Sequence, residues 1–312
     1  MPELYTQELL IRDIQELGIT KGDIIFLRIS YKSIGKVEGG PKGFLDALLK
    51  VVGKEGTIVA TAFPNRFMSV FRLFHQNKIY RKNCPPPCIV GAISSVAMNY
   101  SNAQYSGQPV YPFVAIGKHA QEITSHHHVN AKAYDLIVDL AENYNAKCLR
   151  IGGRILVGTT HIAFTEALQQ TNSYQRKVVS GLYAYDNKNR KKWYRADSSV
   201  FCYDGYEKFF KTYLAKETSV ILAQGNIGAG KAMITSMQKT LELERKYLKS
   251  HPEKLCCDNP NCYLCRSTFS FSQSPTLFFL KQIKNIFSNN RSIALSNIYH
   301  HLMIILLGSK CQ

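Results

Sequence analysis

The segment from Arg28 to Gly40 has the residue types of an anion-binding loop. It contains hydroxyl side chains and the cations Arg28, Lys32 and Lys36, and it ends in the pair Gly39–Gly40. At the carboxyl end of a buried strand, backbone N–H groups and the start of the next helix attract anions. A glycine loop is a weak signal by itself, because ordinary surface turns also need glycine. These residues leave anion binding and a plain surface turn about equally open.

Four cysteines lie within ten residues toward the end of the chain: Cys256, Cys257, Cys262 and Cys265. The Cys-x2-Cys spacing of the last two is a common zinc-binding arrangement. The gap before Cys262 also resembles part of a plant-type iron–sulfur spacing. The competing interpretation is a cysteine-rich turn of unpaired thiols, and no metal is assigned to the catalytic site.

Two further clusters are interpreted as parts of loops. The three consecutive histidines at 126–128 cannot all point one way on a regular element, so we expect a surface loop there. Three prolines separate Cys84 from Cys88, and their rigidity argues against a redox pair.

The composition describes a basic, globular protein. The chain has 312 residues, 39 Lys and Arg against 22 Asp and Glu, a formal net charge of +17 and 45% hydrophobic residues. This apolar content excludes a disordered chain, and the charge favours nucleic acid, a phosphorylated cofactor or an acidic membrane surface as partner. Neither a helix-turn-helix pattern nor an interleaved aromatic and basic sheet motif is present, so we expect no nucleic-acid partner.

Cysteine usage and apolar patterning favour a cytoplasmic protein. The nine cysteines are odd in number and scattered, unlike those of a secreted disulfide scaffold. The first residues show no basic and apolar leader, and the most apolar stretch, Leu302–Leu307, is too short to span a bilayer. We therefore expect reduced thiols and no transmembrane helix.

Apolar periodicity predicts an α/β fold. A buried strand at Ile24–Leu27, a helix at 42–52 and a second buried strand at Thr57–Thr61 form a βαβ unit. The patterns also predict helices at 6–18, 92–99, 134–142, 160–168, 208–215 and 231–248, strands at 113–116 and 147–151, and a hairpin within 175–203. The expected central sheet is mixed, largely parallel and flanked by helices.

The composition changes near residue 250, and we divide the chain there. Residues 1–250 are the catalytic-type domain, and residues 251–312 are a helical and irregular appendage that holds the Cys-rich segment and an amphipathic, basic tail. The tail at 276–308 is suited to peripheral contact with an anionic membrane. It is suited equally to packing on the domain or on a second subunit of a homo-oligomer.

Several motifs follow one another in a specific order. The run from Leu17 to Phe63 contains Leu-Gly, Gly-Asp, an apolar strand, a Ser-x-x-Ser-x-Gly loop, Gly-Gly, a Leu-rich helix and Val-Gly-x-x-Gly-Thr. Segments from Tyr105 to Gly117 and from Lys147 to Ala167 continue the series. Together they resemble the aminoglycoside 3-N-acetyltransferase family, also called antibiotic N-acetyltransferases, including its Arg-Ser-x-His-Pro segment and its Thr-x-x-His-x-x-Glu helix. The resemblance covers roughly residues 6–250.

The resemblance implies an antibiotic N-acetyltransferase-like fold that binds acetyl-CoA and acetylates a primary amine of an amino sugar. It implies that acetyl-CoA is held by the loop after the first buried strand and by the end of the next one. The residues concerned are Arg28, Ser30, Ser33, Gly35, Thr61 and Phe63. It places Gln108 and Tyr111 in the substrate-binding segment.

The chain departs from the family where histidines are expected. Arg28, Gln108 and Ala163 stand at those positions, whereas Glu166 is retained. Attack on a thioester needs a neutral amine and therefore a base. His161 lies five residues before Glu166, about 140° away on a helix. Either a distorted helix start makes His161 and Glu166 the catalytic residues, or the usual base is missing and Glu166 acts directly or transfer activity is lost.

We therefore expect an acetyl-CoA-dependent N-acetyltransferase whose acceptor is an amino sugar. The acceptor belongs to surface-polysaccharide synthesis or is aminoglycoside-like. Aminoglycosides are polycations, and a site that selects them needs many Asp and Glu residues, so the first acceptor class is preferred. The alternative is a catalytically impaired family member that binds CoA or a sugar as a regulator or scaffold.

Overall fold

The structure is a computed structural model of the 312-residue chain. It describes residues 4–82, 88–153, 159, 162–166, 180–196, 202–217, 219–259, 262, 265, 283 and 295. Cys84, His161 and nearly all of the tail at 276–308 lie outside the described residues. Expectations that rest on them stay predictions.

The strands of the described chain fall into three sheets. They are β1 (Leu4–Tyr5), β2 (Ile24–Ile29), β3 (Lys36–Val37), β4 (Thr57–Thr61), β5 (Phe67–Met68), β6 (Ile79–Tyr80), β7 (Gln104–Tyr105), β8 (Phe113–Gly117), β9 (Lys147–Ile151), β10 (Ser180–Tyr185), β11 (Lys191–Arg195), β12 (Ile221–Ile227) and β13 (Gly230–Ser236). The β10–β11 hairpin lies within the predicted range 175–203.

The central sheet is mixed, as predicted. Its strands run in the order β12-β13-β9-β2-β4-β8-β7. The three central strands are parallel, because β2 pairs in parallel with both β9 and β4. The flanking pairings are antiparallel. A second sheet joins β11, β10, β5 and β6, and β1 pairs with β3.

Helices cover both faces of the central sheet. They are α1 (Gln7–Glu16), α2 (Tyr31–Ile34), α3 (Gly40–Val52), α4 (Ala92–Ala97), α5 (Ala120–His126), α6 (Asp135–Glu142), α7 (162–166), α8 (Tyr203–Thr212) and α9 (Met237–Leu248). The predicted start of the first helix is confirmed, since Thr6 Oγ1 accepts the Leu9 N–H at 3.4 Å. Among the described helices, none is long and apolar enough to cross a membrane.

Two predicted helices differ from the structure. The helix expected at 231–248 is wrong for its first residues, because Gly230–Ser236 is a strand held between β9 and β12. Its β-branched residues Ile234 and Thr235 suit a pleated, buried strand, and the pairing strand β12 was not predicted. α8 starts at Tyr203, five residues before the predicted helix at 208–215.

Alternate residues of the central strands pack on opposite faces of the sheet. Phe26 belongs to a core cluster with residues of α6, α8 and α9, whereas Ile25 and Leu27 belong to another with residues of α1 and α3. Burial on both faces is typical of central parallel strands. The first cluster also contains Leu255, which is 2% exposed. Core packing therefore continues past the domain division at residue 250, which stays a prediction.

At the carboxyl end of β9, two glycines turn the chain against the loop that follows β2. Gly152 and Gly153 have positive φ angles of 58° and 63°. A Cβ on Gly152 would lie 2.1 Å from Ser33 Oγ, whereas a Cβ on Gly153 would meet nothing closer than Ser30 Cβ at 3.6 Å. Gly152 therefore permits the close approach of the two strand ends.

Gly152→Ala should destabilise the protein more than Gly153→Ala. Both substitutions share the cost of a left-handed backbone, about 1–2 kcal/mol, but only the first forces Ser33 to move, which should add about 1–3 kcal/mol. Urea unfolding of both variants measures the difference. Ser33→Gly in the Gly152→Ala background should recover the added loss, and equal losses in the two single variants would contradict the close contact.

Candidate active site

Strand register places two arginines side by side at the carboxyl end of the central sheet. Arg28 of β2 is the register partner of Arg150 of β9. Arg28 lies two positions after Phe26, and Arg150 lies two positions after Cys148. Phe26 and Cys148 both belong to the first core cluster. Because alternate residues of a strand share a face, both guanidinium groups lie on that side of the sheet. Arg150 Nη1 donates to the Gly152 carbonyl at 2.8 Å.

Phe63, Tyr111 and Tyr134 form an aromatic cluster next to these arginines. The ring centroids of Phe63 and Tyr111 are 5.3 Å apart, and those of Tyr111 and Tyr134 are 5.4 Å apart. The guanidinium group of Arg66 lies over the ring of Tyr111, and the Arg66 Cζ is 4.6 Å from the ring centroid. Burial, and secondarily Tyr111, raise the pKa of Tyr134, while the charges of Arg28 and Arg66 oppose that rise. Both guanidinium groups therefore act electrostatically on the Tyr134 hydroxyl.

Arg28, Arg66 and Arg150, here called the arginine group, fit an anionic ligand. Within the part of the chain that the structure describes, each keeps one buried nitrogen without an acceptor: Arg28 Nε, Arg66 Nη1 and Arg150 Nε. Burial also lowers the pKa of Arg150, so its surroundings disfavour an uncompensated charge. A phosphate or carboxylate would supply both acceptors and compensating charge.

Both serines expected to bind the cofactor, Ser30 and Ser33, lie at this site. Ser30 donates its N–H to the Ile151 carbonyl at 2.9 Å, which joins the loop to the end of β9. Ser33 lies over the Gly152 turn. The structure thus brings both hydroxyl residues to the strand ends that carry Arg28 and its partner in β9.

The other expected cofactor residues are placed differently. Thr61 is buried at the end of β4, and Phe63 belongs to the aromatic cluster. Gly35 has a φ of 94°, and a Cβ there would lie 2.9 Å from the ring of Tyr5. Gly35 therefore faces protein, and its part in cofactor binding stays a prediction.

The segment expected to bind substrate is fixed by Gln108. Its Oε1 accepts the N–H groups of Val110 and Tyr111, both at 2.7 Å, and its side chain is buried. Gln108 is therefore a positioning residue for the loop, whereas Tyr111 itself reaches the aromatic cluster.

His127 is buried, contrary to the surface loop expected for the histidines at 126–128. Its Nε2 donates to the Lys132 carbonyl at 2.9 Å, and its Nδ1 accepts from the Ser106 hydroxyl at 3.1 Å. This network assigns the proton to Nε2, because a carbonyl oxygen only accepts. Ser106 Oγ in turn accepts the Phe113 N–H at 2.9 Å. Three identical residues in a row do not reveal which side chain turns inward.

Glu166 belongs to an ion-pair network between helices. Its two oxygens accept from Arg245 Nε at 2.8 Å and Nη2 at 2.9 Å, and Arg245 Nη1 donates to Glu142 at 2.6 Å. These contacts join α7 to α9 and α6. Both carboxylate oxygens of Glu166 are therefore engaged in this ion pair. The geometry therefore gives Glu166 a structural partner, and the catalytic roles of Glu166 and His161 stay predictions.

The sequence-based reasoning missed several residues of this region. Arg66 and Tyr134 lie in segments without a motif, and Arg150 gains meaning only from its register with Arg28. Glu244 carried a detectable signal, because it falls on the buried stripe of α9 together with Thr240, Leu241 and Leu248. Burial and then the neighbouring Tyr134 and Glu244 hold the pKa of Tyr206 well above its usual value.

The strand-end loops, the arginine group and the aromatic cluster form a site in an α/β protein whose buried N–H groups suit an anionic ligand. The chain belongs to the aminoglycoside 3-N-acetyltransferase family, whose model matches residues 26–249. The family consists of acetyl-CoA-dependent acyltransferases. The expected family and fold class are confirmed.

Known relatives cover different parts of the chain. The SPbeta prophage-derived aminoglycoside N(3')-acetyltransferase-like protein YokD of Bacillus subtilis is 30% identical over 138 residues, 39% of this chain and 50% of that protein. An aminoglycoside N(3)-acetyltransferase III of Serratia marcescens is 23% identical over 270 residues, 80% of this chain and 98% of that protein. The solved structure of AAC-IIIb with CoASH has a TM-score of 0.63 and 18% identity, covering 80% of this chain and 98% of that one. The chain thus spans about half the length of the first relative.

Burial of His127 makes the stability of the protein depend on pH. Burial lowers the pKa of His127 from 6.5 to about 4, although the hydrogen bond to the Lys132 carbonyl and the charge of Asp135 both act to raise this pKa. Because the folded protein disfavours the protonated ring, the neutral His127 ring contributes its full stabilisation above the unfolded pKa of about 6.5. This contribution is lost as the pH falls toward 4. The loss should approach about 3 kcal/mol near pH 4.

Urea unfolding at several pH values between 6.5 and 5 tests this dependence. His127→Gln should flatten the slope of unfolding free energy against pH. His128→Gln makes the same change at the exposed neighbour and should leave the slope as in the unsubstituted protein. Identical slopes for all three proteins would contradict the assignment.

Proposed function

We propose that this chain transfers an acetyl group from acetyl-CoA to the amine of a negatively charged amino sugar. Nucleotide-linked and phosphorylated sugars of surface-polysaccharide synthesis have this chemistry. The observation that carries the proposal is the arginine group, whose buried N–H groups need anionic acceptors. Family membership supports the reaction type, and the charge of the site supports the acceptor class.

The residues at the strand ends suit the donor, because coenzyme A is a polyanion with an apolar arm. Arg28 and Arg150 offer N–H donors for its anionic or carbonyl oxygens, and the hydroxyls of Ser30 and Ser33 lie beside them. The ring of Phe63 offers an apolar surface for the pantetheine arm. When bound, acetyl-CoA supplies the activated thioester. A cytoplasmic location would give access to this metabolite and to reduced thiols.

The positive charge of the site bears on the acceptor in two ways. A cationic surrounding disfavours a bound ammonium and so lowers the pKa of the acceptor amine, which raises the fraction of the neutral nucleophile. It also disfavours a polycation, because several ammonium groups would face Arg28 and Arg66. An acceptor with its own phosphate or carboxylate compensates this charge and leaves the amine free to react.

A nearby basic groove supports the same acceptor class. The groove has a volume of about 620 Å³ and is lined in part by Arg81, Lys82 and Gly107. None of the described residues that line it is a carboxylate. Selection of a polycationic aminoglycoside would call for acidic side chains in such a groove.

The transfer step also needs a base and an oxyanion partner. His161 is our candidate for the base, because Glu166 is held by Arg245 on both carboxylate oxygens. The N–H groups of Arg28 can stabilise negative charge that develops on the thioester oxygen. The amine would form a C–N bond with the acetyl carbonyl as the C–S bond of the thioester breaks, and its proton would pass through His161 to the departing CoA thiolate.

A second candidate function is binding of CoA or a sugar without transfer. The observations that favour it are the arginine at position 28, where the family resemblance implies histidine, and the ion pair that occupies Glu166. Such a protein would act as a regulator or scaffold.

A matched pair of acceptors tests the acceptor class. In a thiol-release assay with acetyl-CoA, glucosamine 6-phosphate should have a kcat/KM at least about tenfold above that of glucosamine. Arg66→Gln should lower kcat/KM for the phosphorylated sugar by about 10- to 100-fold, since a hydrogen bond to a charged group contributes about 1.5–3 kcal/mol. The value for glucosamine should change little.

Arg72→Gln is the matched control, because Arg72 is an exposed arginine six residues from Arg66. It should change neither value, and His161→Ala should abolish turnover. More efficient acetylation of a gentamicin-type aminoglycoside than of either sugar would contradict the acceptor class. CoA binding without turnover of any amine would support the second candidate function.

A further inference from the structure

Four cysteine thiols from separate parts of the chain converge beside α8. Cys202, Cys257, Cys262 and Cys265 have their Sγ atoms all within 4.8 Å of one another. The Cys202–Cys262 and Cys257–Cys265 Sγ pairs are both 3.6 Å apart. All four are free cysteines, and these separations far exceed the disulfide bond length of about 2.05 Å. The folded chain therefore gathers four soft ligands around one point.

The spacing of the four sulfurs matches a single tetrahedral metal ion. Zinc–thiolate bonds of about 2.3 Å place the sulfurs of a regular tetrahedron about 3.8 Å apart. The observed separations bracket this value. An iron–sulfur cluster distributes its cysteines over several iron atoms and would hold the four sulfurs farther apart than the compact group seen here.

The backbone around the four thiols is arranged as in metal–thiolate sites. The Cys257 N–H donates to Cys265 Sγ at 3.3 Å. Backbone donors to ligand sulfurs orient such ligands and stabilise their negative charge.

A close contact fixes the approach of the two segments that carry these ligands. Cys202 precedes the first residue of α8, and a Cβ on Gly205 in its first turn would lie 1.9 Å from the Leu255 carbonyl oxygen. The turn at Pro252–Leu255 therefore packs directly on α8 and delivers Cys257 to the site.

The four thiols that converge are not the same four cysteines that lie close together in the sequence. Cys256 is outside it, and its carbonyl accepts from Lys208 Nζ at 3.3 Å. Cys202, sixty residues before Cys262, takes the fourth position. Sequence spacing could not show that Cys202 takes the place of Cys256, because only the fold brings α8 to the Cys-rich segment.

We infer that Cys202, Cys257, Cys262 and Cys265 bind one structural zinc ion. The four thiols lose their protons when the ion binds and become its thiolate ligands. Four protein ligands complete a tetrahedron and leave no open position for water or substrate, so the ion has a structural role. It ties the segment after α9 to α8, whose Tyr206 lies in the core cluster that includes Phe26. The inference does not depend on the proposed acetyl transfer.

Metal analysis of the full chain, purified under reducing conditions, tests the inference. We expect about one zinc per chain. Apoprotein titrated with Co²⁺ should show thiolate-to-cobalt charge transfer and the intense ligand-field bands of tetrahedral coordination, and Zn²⁺ should displace them. Bound zinc should protect the four ligands, but not Cys256, from alkylation as mapped by mass spectrometry. This last readout needs no substitution and so does not depend on a variant that folds.

Substitutions provide the matched comparison. Cys202→Ser and Cys262→Ser should each lose the zinc to a chelator that leaves the unsubstituted protein loaded, whereas Cys256→Ser should retain it. Absence of zinc together with absence of cobalt bands would overturn the inference. Iron in place of zinc, or equal zinc loss in Cys256→Ser and Cys202→Ser, would overturn it as well.

Discussion

The parallel register of β2 and β9 is the constraint on which the site depends. It places Arg28 beside Arg150 at the carboxyl end of the sheet, where partial burial makes two like charges unfavourable without a counter-ion. Gly152 allows the adjoining loop to close over these strand ends, and Arg66 adds a third guanidinium above Tyr111. An anionic ligand is the simplest compensation for this arrangement, and acetyl-CoA is the co-substrate of the family.

Buried polar groups hold the rest of the site in place. The Ser106 hydroxyl donates to His127 Nδ1 and accepts from the Phe113 N–H, and His127 Nε2 donates to the Lys132 carbonyl. Gln108 fixes the turn that carries Tyr111. Glu166 and Arg245 join helices on the same side of the sheet. The contacts of Gln108 position the loop that carries Tyr111, whereas the catalytic role of Glu166 stays a prediction.

The sequence predicted the sheet strands with continuous apolar runs and the helices with clear caps, because burial on both faces and capping are local patterns. It failed at Gly230–Ser236, since the pairing of this strand with β9 joins residues that are distant in the chain. The same reason hid Arg150 and the place of Cys202 among the four thiols. The cofactor role of Phe63 and the substrate role of Tyr111 stay predictions, and only the fold showed that Gln108 Oε1 accepts from its own loop backbone.

A crystal structure of the full chain with CoA tests the central claim most directly. The account predicts that oxygens of the ligand accept hydrogen bonds from Arg28 and Arg150 and that its thiol ends at the aromatic cluster. A thiol far from Phe63 and Tyr111, with the guanidinium nitrogens of Arg28 and Arg150 making no contact with the ligand, would contradict it.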